Sequence, residues 1–296
     1  MEHFLPVNPH DFRYILKPKV QCATENVYLL IYIHSAPAHY KQRMFIRETW
    51  GNRHNVENVA IDVIFLVGWP NDDNVQASIL LESDMYGDIL QEDFVDSYRN
   101  LTYKGIMGLR WMAEHCSPKR VRYVMKTDDD IFVNIFNVLS HLSRVDVEEP
   151  TLNRTVMCLL WTRMKVVRNS NSKWYIPKRD FAPDFFPQYC SGSAFIYTSD
   201  LVLPLYNASL FTPFFWVDDY YVSGMLAGQV GAQYRKLNNI YSLSPKMFLE
   251  KFRAASDKKT LTFGHVHDLS WWYQVWRDVI ANRERRSYSV ASFDDS

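Results

Sequence analysis

The sequence predicts an α/β fold with a mostly parallel central sheet flanked by helices. Three observations point to it. Continuous apolar runs at 27–33, 61–68 and 121–126 are strand-sized and rich in β-branched and aromatic residues, the pattern of strands buried on both faces. Segments with helical spacing stand between them, at 39–49, 75–83 and 101–116. The chain has 296 residues and is 47% hydrophobic, enough for a large core.

In chain order, residues 1–21 hold Pro6, Pro9 and Pro18, show no period, and read as an extended lead-in, the end of a stalk. The first strand ends at His34-Ser35-Ala36-Pro37. The helix at 39–49 offers Met44, Phe45 and Trp50 to the core and stops at Gly51. The helix at 101–116 carries Leu101, Ile106, Leu109 and Met112 on one face, weakened by Gly105 and Gly108. A helix at 135–142 and a strand near 155–160 follow. Residues 168–188 are polar and Pro-rich, a long loop of the kind that carries function. A strand at 194–197 leads to Ser199, an N-cap for a helix at 200–206. Residues 218–230 are helical and end at Gly231. Ser270 caps a last amphipathic helix at 271–281, whose Trp271, Trp272 and Trp276 belong to the core, and 284–296 is a disordered tail.

Composition excludes several classes. With 33 basic and 33 acidic residues, nothing attracts a polyanion in bulk, so no nucleic acid partner is expected. Ten Gly, 13 Pro and four Cys exclude low-complexity and disulfide-scaffold chains. No stretch approaches the roughly 18–20 apolar residues of a membrane span, and no signal peptide is visible. Aromatics reach 15%, suited to cores and to flat apolar faces for sugars or bases. Sequons stand at Asn100, Asn153 and Asn207, little more than chance supplies. Cys22, Cys116, Cys158 and Cys190 form no CxxC, which leaves two disulfides or four buried thiols.

The sharpest chemical feature is Lys126-Thr127-Asp128-Asp129-Asp130, three carboxylates at the end of a buried strand. Ligands of open α/β sheets bind outside the carboxyl ends of strands, and packed carboxylates call for a compensating cation. The plainer alternative is an acidic cap for the following helix. A second pair, Asp218-Asp219, lies between Phe214-Phe215-Trp216 and Tyr220-Tyr221, which suits a general base beside a sugar or, more simply, an acidic first helical turn. Ser191-Gly192-Ser193 lets a ligand approach the backbone, or is an ordinary turn. His265 and His267 precede the last helix.

Six segments in order resemble one family. Residues 43–51 are similar to its R-x-x-I-R-x-T-W-G motif, 65–68 to its FLLG strand end, and 92–104 to E-D-F-x-D-x-Y-x-N-L-T-x-K. Residues 126–134 match K-T-D-D-D-x-F-V-N, 189–193 match Y-C-S-G-[TS], and 217–222 stand where the family has E-D-V-Y-[VT]-G. The family is the inverting β1,3-glycosyltransferases of the galactosyltransferase and N-acetylglucosaminyltransferase group, glycosyltransferase family 31. The resemblance spans about residues 22–278.

It implies a GT-A-type fold in one catalytic domain at 22–283, with a donor half at about 22–134 and an acceptor half at about 135–283. It implies a UDP-sugar donor, a glycoprotein or glycolipid acceptor glycan, and Mn²⁺ (or Mg²⁺). It also implies a type II protein of the Golgi lumen, whose membrane anchor is absent from this sequence. On this resemblance Asp219 is the catalytic base, Asp130 and His265 hold the metal with His267 as fallback, and Asp128 binds the metal through water or the ribose. Ser35, Arg43, Arg47, Lys126 and Asp129 fall to the donor, and Gly192, Trp216, Asp218 and Tyr221 to the acceptor. For Arg43 and Arg47 the alternative is bridging helix to core. Asp218 replaces the family's Glu, Tyr220 a small apolar residue, and Ser223 the expected Gly. The expected reaction moves galactose or an N-acetylhexosamine to a sugar 3-hydroxyl. A catalytically silent carbohydrate-binding relative and a divalent-metal phosphohydrolase are the other classes weighed.

Overall fold

A computed structural model describes residues 5–56, 59–254, 261–266 and 268–291. Along the chain run β1 (Tyr14–Leu16), β2 (Val27–His34), α1 (Tyr40–Glu48), β3 (Ile61–Trp69), α2 (Asp73–Tyr86), β4 (Ile89–Val95) and α3 (Leu101–His115). Then come β5 (Val121–Asp128), β6 (Ile131–Val133), α4 (Ile135–Glu148), β7 (Thr155–Trp161), β8 (Tyr189–Thr198), α5 (Val202–Phe211) and α6 (Asp218–Tyr220). A π-helical turn (Tyr221–Leu226) leads to α7 (Ala227–Gln229), β9 (Gln233–Lys236), β10 (Tyr241–Ser242), α8 (Pro245–Ala254), β11 (Phe263–His265) and α9 (Leu269–Ala291).

The main sheet has eight strands in the order β1-β4-β3-β2-β5-β8-β7-β9. The apolar runs β2, β3 and β5 lie side by side in parallel, with β4 parallel beyond β3. Only β1 and β8 run against the rest. Successive residues of a strand face opposite sides, so β2 feeds two cores. Ile31 packs with Phe45, Trp50, Leu142 and Trp272 under α1, α4 and α9. Leu30 and Tyr32 pack with Met107, Trp111 and Leu205 under α3 and α5. A small second sheet, β10-β11-β6, covers the site end of β5.

Several boundaries differ from expectation. The lead-in is not free of the fold: β1 pairs with β4 at the sheet edge, and buried His10 meets Glu92 at 2.6 Å. Polar residues such as Glu92 and Gln91, buried at 0%, hid β4 from an apolar reading. The last helix, expected to end at 281, continues to Ala291, into the 284–296 stretch where a disordered tail was expected. Ser199 opens a short 3-10 turn instead of capping, and Asp268, not Ser270, supplies the side-chain acceptor at the start of α9. The strand expected at 194–197 begins at Tyr189, so the Y-C-S-G-S segment is sheet, not turn.

The cysteines form two disulfides, Cys22–Cys116 and Cys158–Cys190. That decides between the two readings of the count and fits an oxidising compartment. Among the described residues no helix is long and apolar enough to cross a membrane. Of the sequons, Asn153 and Asn207 are exposed, while Asn100 is half-buried and donates to the Val95 carbonyl at 2.8 Å.

Candidate active site

The site lies where β2 and β5 end side by side. Their register pairs His34 with Asp128, and the Asp129 N–H donates to the His34 carbonyl at 3.1 Å. The chain then turns through Asp129 and Asp130 into β6. Antiparallel pairing of β6 with β11 sets His265 opposite Ile131, and the Val266 N–H donates to the Asp130 carbonyl. This register delivers the His265 Nε2 to 2.7 Å from Asp130 Oδ2.

The three adjacent carboxylates have separate fates. Asp130 is partly exposed; burial would raise its carboxyl, but the hydrogen bond and charge of His265 outweigh that and hold it below the usual range. The bond to Asp130 raises His265 in turn. Asp128 is partly exposed, accepts from Lys126 Nζ at 2.6 Å, and is pushed up to about 6 by burial, with Lys126 opposing. Asp129 points inward: Ser35 Oγ donates to it at 2.7 Å and His39 Nδ1 lies at 2.9 Å.

Across the cleft stand Asp218 and Asp219 at the start of α6. Asp218 is buried, 3.6 Å from His34 Nδ1 and 3.7 Å from Lys126 Nζ, and burial pushes it up to about 7. Burial by Gly105 is tight, since a Cβ there would lie 2.7 Å from Asp218 Oδ1. Burial and the Lys126 and Lys104 charges hold His34 well below its usual range, so it is neutral. Asp219 is half-buried and raised by burial, against the Lys126 charge. It rests on the backbone of Gly192, where a Cβ would meet Asp219 Oδ2 at 3.3 Å. The close neighbour of this glycine is thus Asp219, and a side chain at 192 would press on it. Ser223, at the expected Gly, accepts from the Cys190 N–H at 2.8 Å and so ties the π-helical turn to β8.

Lys126 stands between the acidic triplet and the acidic pair. Buried, it donates to Asp128 and, at 2.7 Å, to the Gly192 carbonyl. It therefore cancels charge between the two sides of the cleft, whereas the resemblance assigned it to the donor.

Other assigned residues sit elsewhere. Arg43 is fully buried and forks onto Glu82, with further bonds to Ser35 Oγ and the Ala36 and Pro37 carbonyls. Arg47 forks onto Asp88 at 2.8 Å and meets Glu82 at 2.7 Å. Both bridge α1 to α2, the alternative noted above, because a buried guanidinium needs all its donors met. The Ser35 hydroxyl is spent between Arg43 and Asp129, and both side-chain bonds to Asp129, from Ser35 and His39, end on its Oδ2. Tyr221 is buried, bonded to the Thr212 carbonyl at 3.0 Å, and is core, not a sugar platform. Trp216 is half-buried and carries the Arg99 guanidinium on its ring at 3.8 Å. His267 lies outside the described residues.

Sequence reasoning missed Asp96 and Lys104. Lys104 Nζ reaches the Ser35 carbonyl at 2.6 Å and Asp96 at 2.8 Å, and Asp96 accepts from the Gly68 N–H. Both belong to the 92–104 motif, so the signal was present without a role attached.

Asp130 and His265 offer one oxygen and one nitrogen donor at a partly open position. Among the described residues no group of three or more such side chains gathers to hold a metal. Two protein donors would fit a divalent cation that takes its remaining ligands from water and substrate oxygens.

Carboxylates at the carboxyl ends of a largely parallel sheet, facing a second carboxylate pair across a cleft, define an α/β protein with an acidic strand-end ligand site. The galactosyltransferase family model matches residues 41–238. The chain belongs to the galactosyltransferase family. It is 33% identical over 275 residues to beta-1,3-galactosyltransferase 1 of Mus musculus and of Homo sapiens, covering 86% of this chain and 82% of each relative. It is 34% identical over 222 residues to human beta-1,3-galactosyltransferase 2, covering 74% of this chain and 52% of that one. Among solved structures it is similar to a glycosyltransferase involved in glycosylating the major capsid of PBCV-1. There the identity is 11% and the TM-score 0.42, covering 85% of this chain and 99% of that one. The family membership does not favour the silent-binder and phosphohydrolase readings.

Proposed function

We propose that the protein transfers galactose from UDP-galactose to the 3-hydroxyl of an acceptor glycan on a glycoprotein or glycolipid, with inversion, forming a β1,3 linkage. The observation that carries the reading is the placement of Asp219. It is a carboxylate raised by burial, seated against Gly192 and within the field of Lys126, the lysine that also bonds Asp128. A base raised toward the operating pH is better matched to removing a hydroxyl proton. Asp219 takes that proton, the oxygen attacks the anomeric carbon, and UDP leaves from the opposite face. Lys126 holds the Gly192 carbonyl, and thereby the strand under Asp219, in place. Neutral His34 and buried Asp218 close the floor behind it.

Asp130 and His265 would hold Mn²⁺ (or Mg²⁺), which supplies positive charge to the departing diphosphate. Disulfides and the family support a protein of the Golgi lumen. The test is Asp219→Asn. Galactose transfer should fall by about 10²–10⁴-fold with UDP affinity retained. Transfer at the wild-type rate by that variant removes Asp219 from the mechanism.

A further inference from the structure

The two aromatic residues assigned to the acceptor are taken: Tyr221 lies in the core and Arg99 covers a face of Trp216. Two other rings nearby keep a face exposed, with the Lys173 ammonium over the other, 5.4 Å from the Tyr98 ring centre and 4.7 Å from that of Trp174. Tyr98 is 47% exposed and Trp174 is 53% exposed. Trp174 comes from the long 168–188 loop, and its Nε1 donates to Tyr98 Oη at 2.9 Å. That loop is pinned beneath them: Arg168 donates to the Ile176 and Phe181 carbonyls, each at 2.7 Å. The Tyr98 ring lies 6.3 Å from the Trp216 ring, and Trp216 stands just before Asp218 and Asp219 in the chain. Tyr98 therefore lies beside the segment that leads into Asp218 and Asp219. Its phenol is raised by partial burial, and the charges of Asp219 and Asp128 add to that, consistent with proximity.

We propose that Tyr98 and Trp174 form an acceptor subsite that stacks the second sugar of an extended glycan, next to the sugar whose 3-hydroxyl Asp219 deprotonates. The inference rests on the transferase reading above and names the acceptor class: an oligosaccharide rather than a single sugar. A pyranose presents an apolar C–H face and an equatorial rim of hydroxyls. Flat rings meet the face. The exposed Arg99 guanidinium and Lys173 ammonium, the latter 4.7 Å from the Trp174 ring centre, supply donors to the rim. The hydrogen bond between the two rings fixes their mutual angle before a glycan arrives, which lowers the entropy cost of binding.

Matched acceptors test this: the methyl glycoside of a hexose or N-acetylhexosamine, and a linear trisaccharide ending in the same residue. Trp174→Ala should raise the trisaccharide KM about tenfold, as one lost aromatic contact predicts. The monosaccharide KM, the donor KM and kcat should stay at wild-type values. Tyr98→Phe, which keeps the ring and loses the interring bond, should give a smaller rise for the trisaccharide alone. Equal effects on both acceptors, or none, overturn the subsite. Saturation-transfer NMR of the trisaccharide with wild type and Trp174→Ala reads binding without turnover. Wild type that binds the trisaccharide through Trp174 but transfers nothing would sink the transferase reading and leave the subsite. Wild type that binds it no better than the methyl glycoside would sink the subsite whatever the activity.

Discussion

His265 Nε2 lies 2.7 Å from Asp130 Oδ2 across 135 residues of sequence. Nothing local brings them together; the β6–β11 register does. If the pair shares a cation, His265→Ala should weaken Mn²⁺-dependent UDP binding by at least about tenfold, since even outer-shell partners of a metal are worth that much. Calorimetric titration of UDP with and without Mn²⁺ measures it. Equal UDP affinity for wild type and variant in the presence of Mn²⁺ would exclude the assignment.

Arg43 offers a choice between two roles with different signatures. A donor-binding arginine, when lost, raises the donor KM and spares the fold. The structure instead buries Arg43 against Glu82, with side chains 1% and 2% exposed. Removing Glu82 leaves a buried guanidinium without its carboxylate, a cost of about 3–5 kcal/mol. Glu82→Ala should therefore lower the urea midpoint strongly. Activity should fall in parallel, because Arg43 also holds Ser35, which holds Asp129.

Gly105 is a helix position where alanine would ordinarily stabilise, by about 1 kcal/mol. Here the added Cβ would sit 2.7 Å from buried Asp218 Oδ1. Gly105→Ala should instead destabilise by about 1–3 kcal/mol, the range of an overpacked core. It should also lower kcat, because Asp218 and Asp219 move together on α6, while UDP affinity holds. A variant as stable and active as wild type would show that Asp218 has room to yield.

How much of this was legible follows residue by residue. Val27–His34 and Val121–Asp128 announced themselves, because strands buried on both faces are apolar throughout. The acidic strand end at Asp128–Asp130 followed from that placement alone. β4 did not, because its Glu92 and Gln91 are buried by pairing with His10 and Gln76 rather than by being apolar. The inward turn of Asp129 was equally hidden: three adjacent carboxylates look alike in sequence, and only Ser35 and His39 distinguish the middle one. Arg43 was ambiguous since the spacing of two arginines says nothing of which carboxylates lie opposite. Pairing between distant strands and the partners of buried charges are tertiary facts, and no local pattern encodes them.

Acid should loosen the seam between α4 and the sheet. Asp146 on α4 accepts from Tyr28 at 2.7 Å, from Tyr123 at 2.8 Å and from Arg122 at 2.8 Å. Burial raises its carboxyl, but the bonds from Tyr28, Tyr123 and Arg122 outweigh that, and it is held below its ordinary value. A carboxyl depressed in the folded state contributes stability that is complete above its unfolded pKa and fades as pH falls through the folded one. The stabilising contribution of Asp146 should thus be flat at neutral pH and disappear only below the ordinary carboxylate range. Asp146→Asn should cost about 1–3 kcal/mol at pH 7, the scale of a charged hydrogen-bond acceptor lost at a partly buried site. Urea unfolding of wild type and variant across pH 2–7 measures the difference. It should shrink toward zero at the acid end; a gap that stays constant down to the lowest pH would mean that packing of the side chain, not its charge, secures the seam.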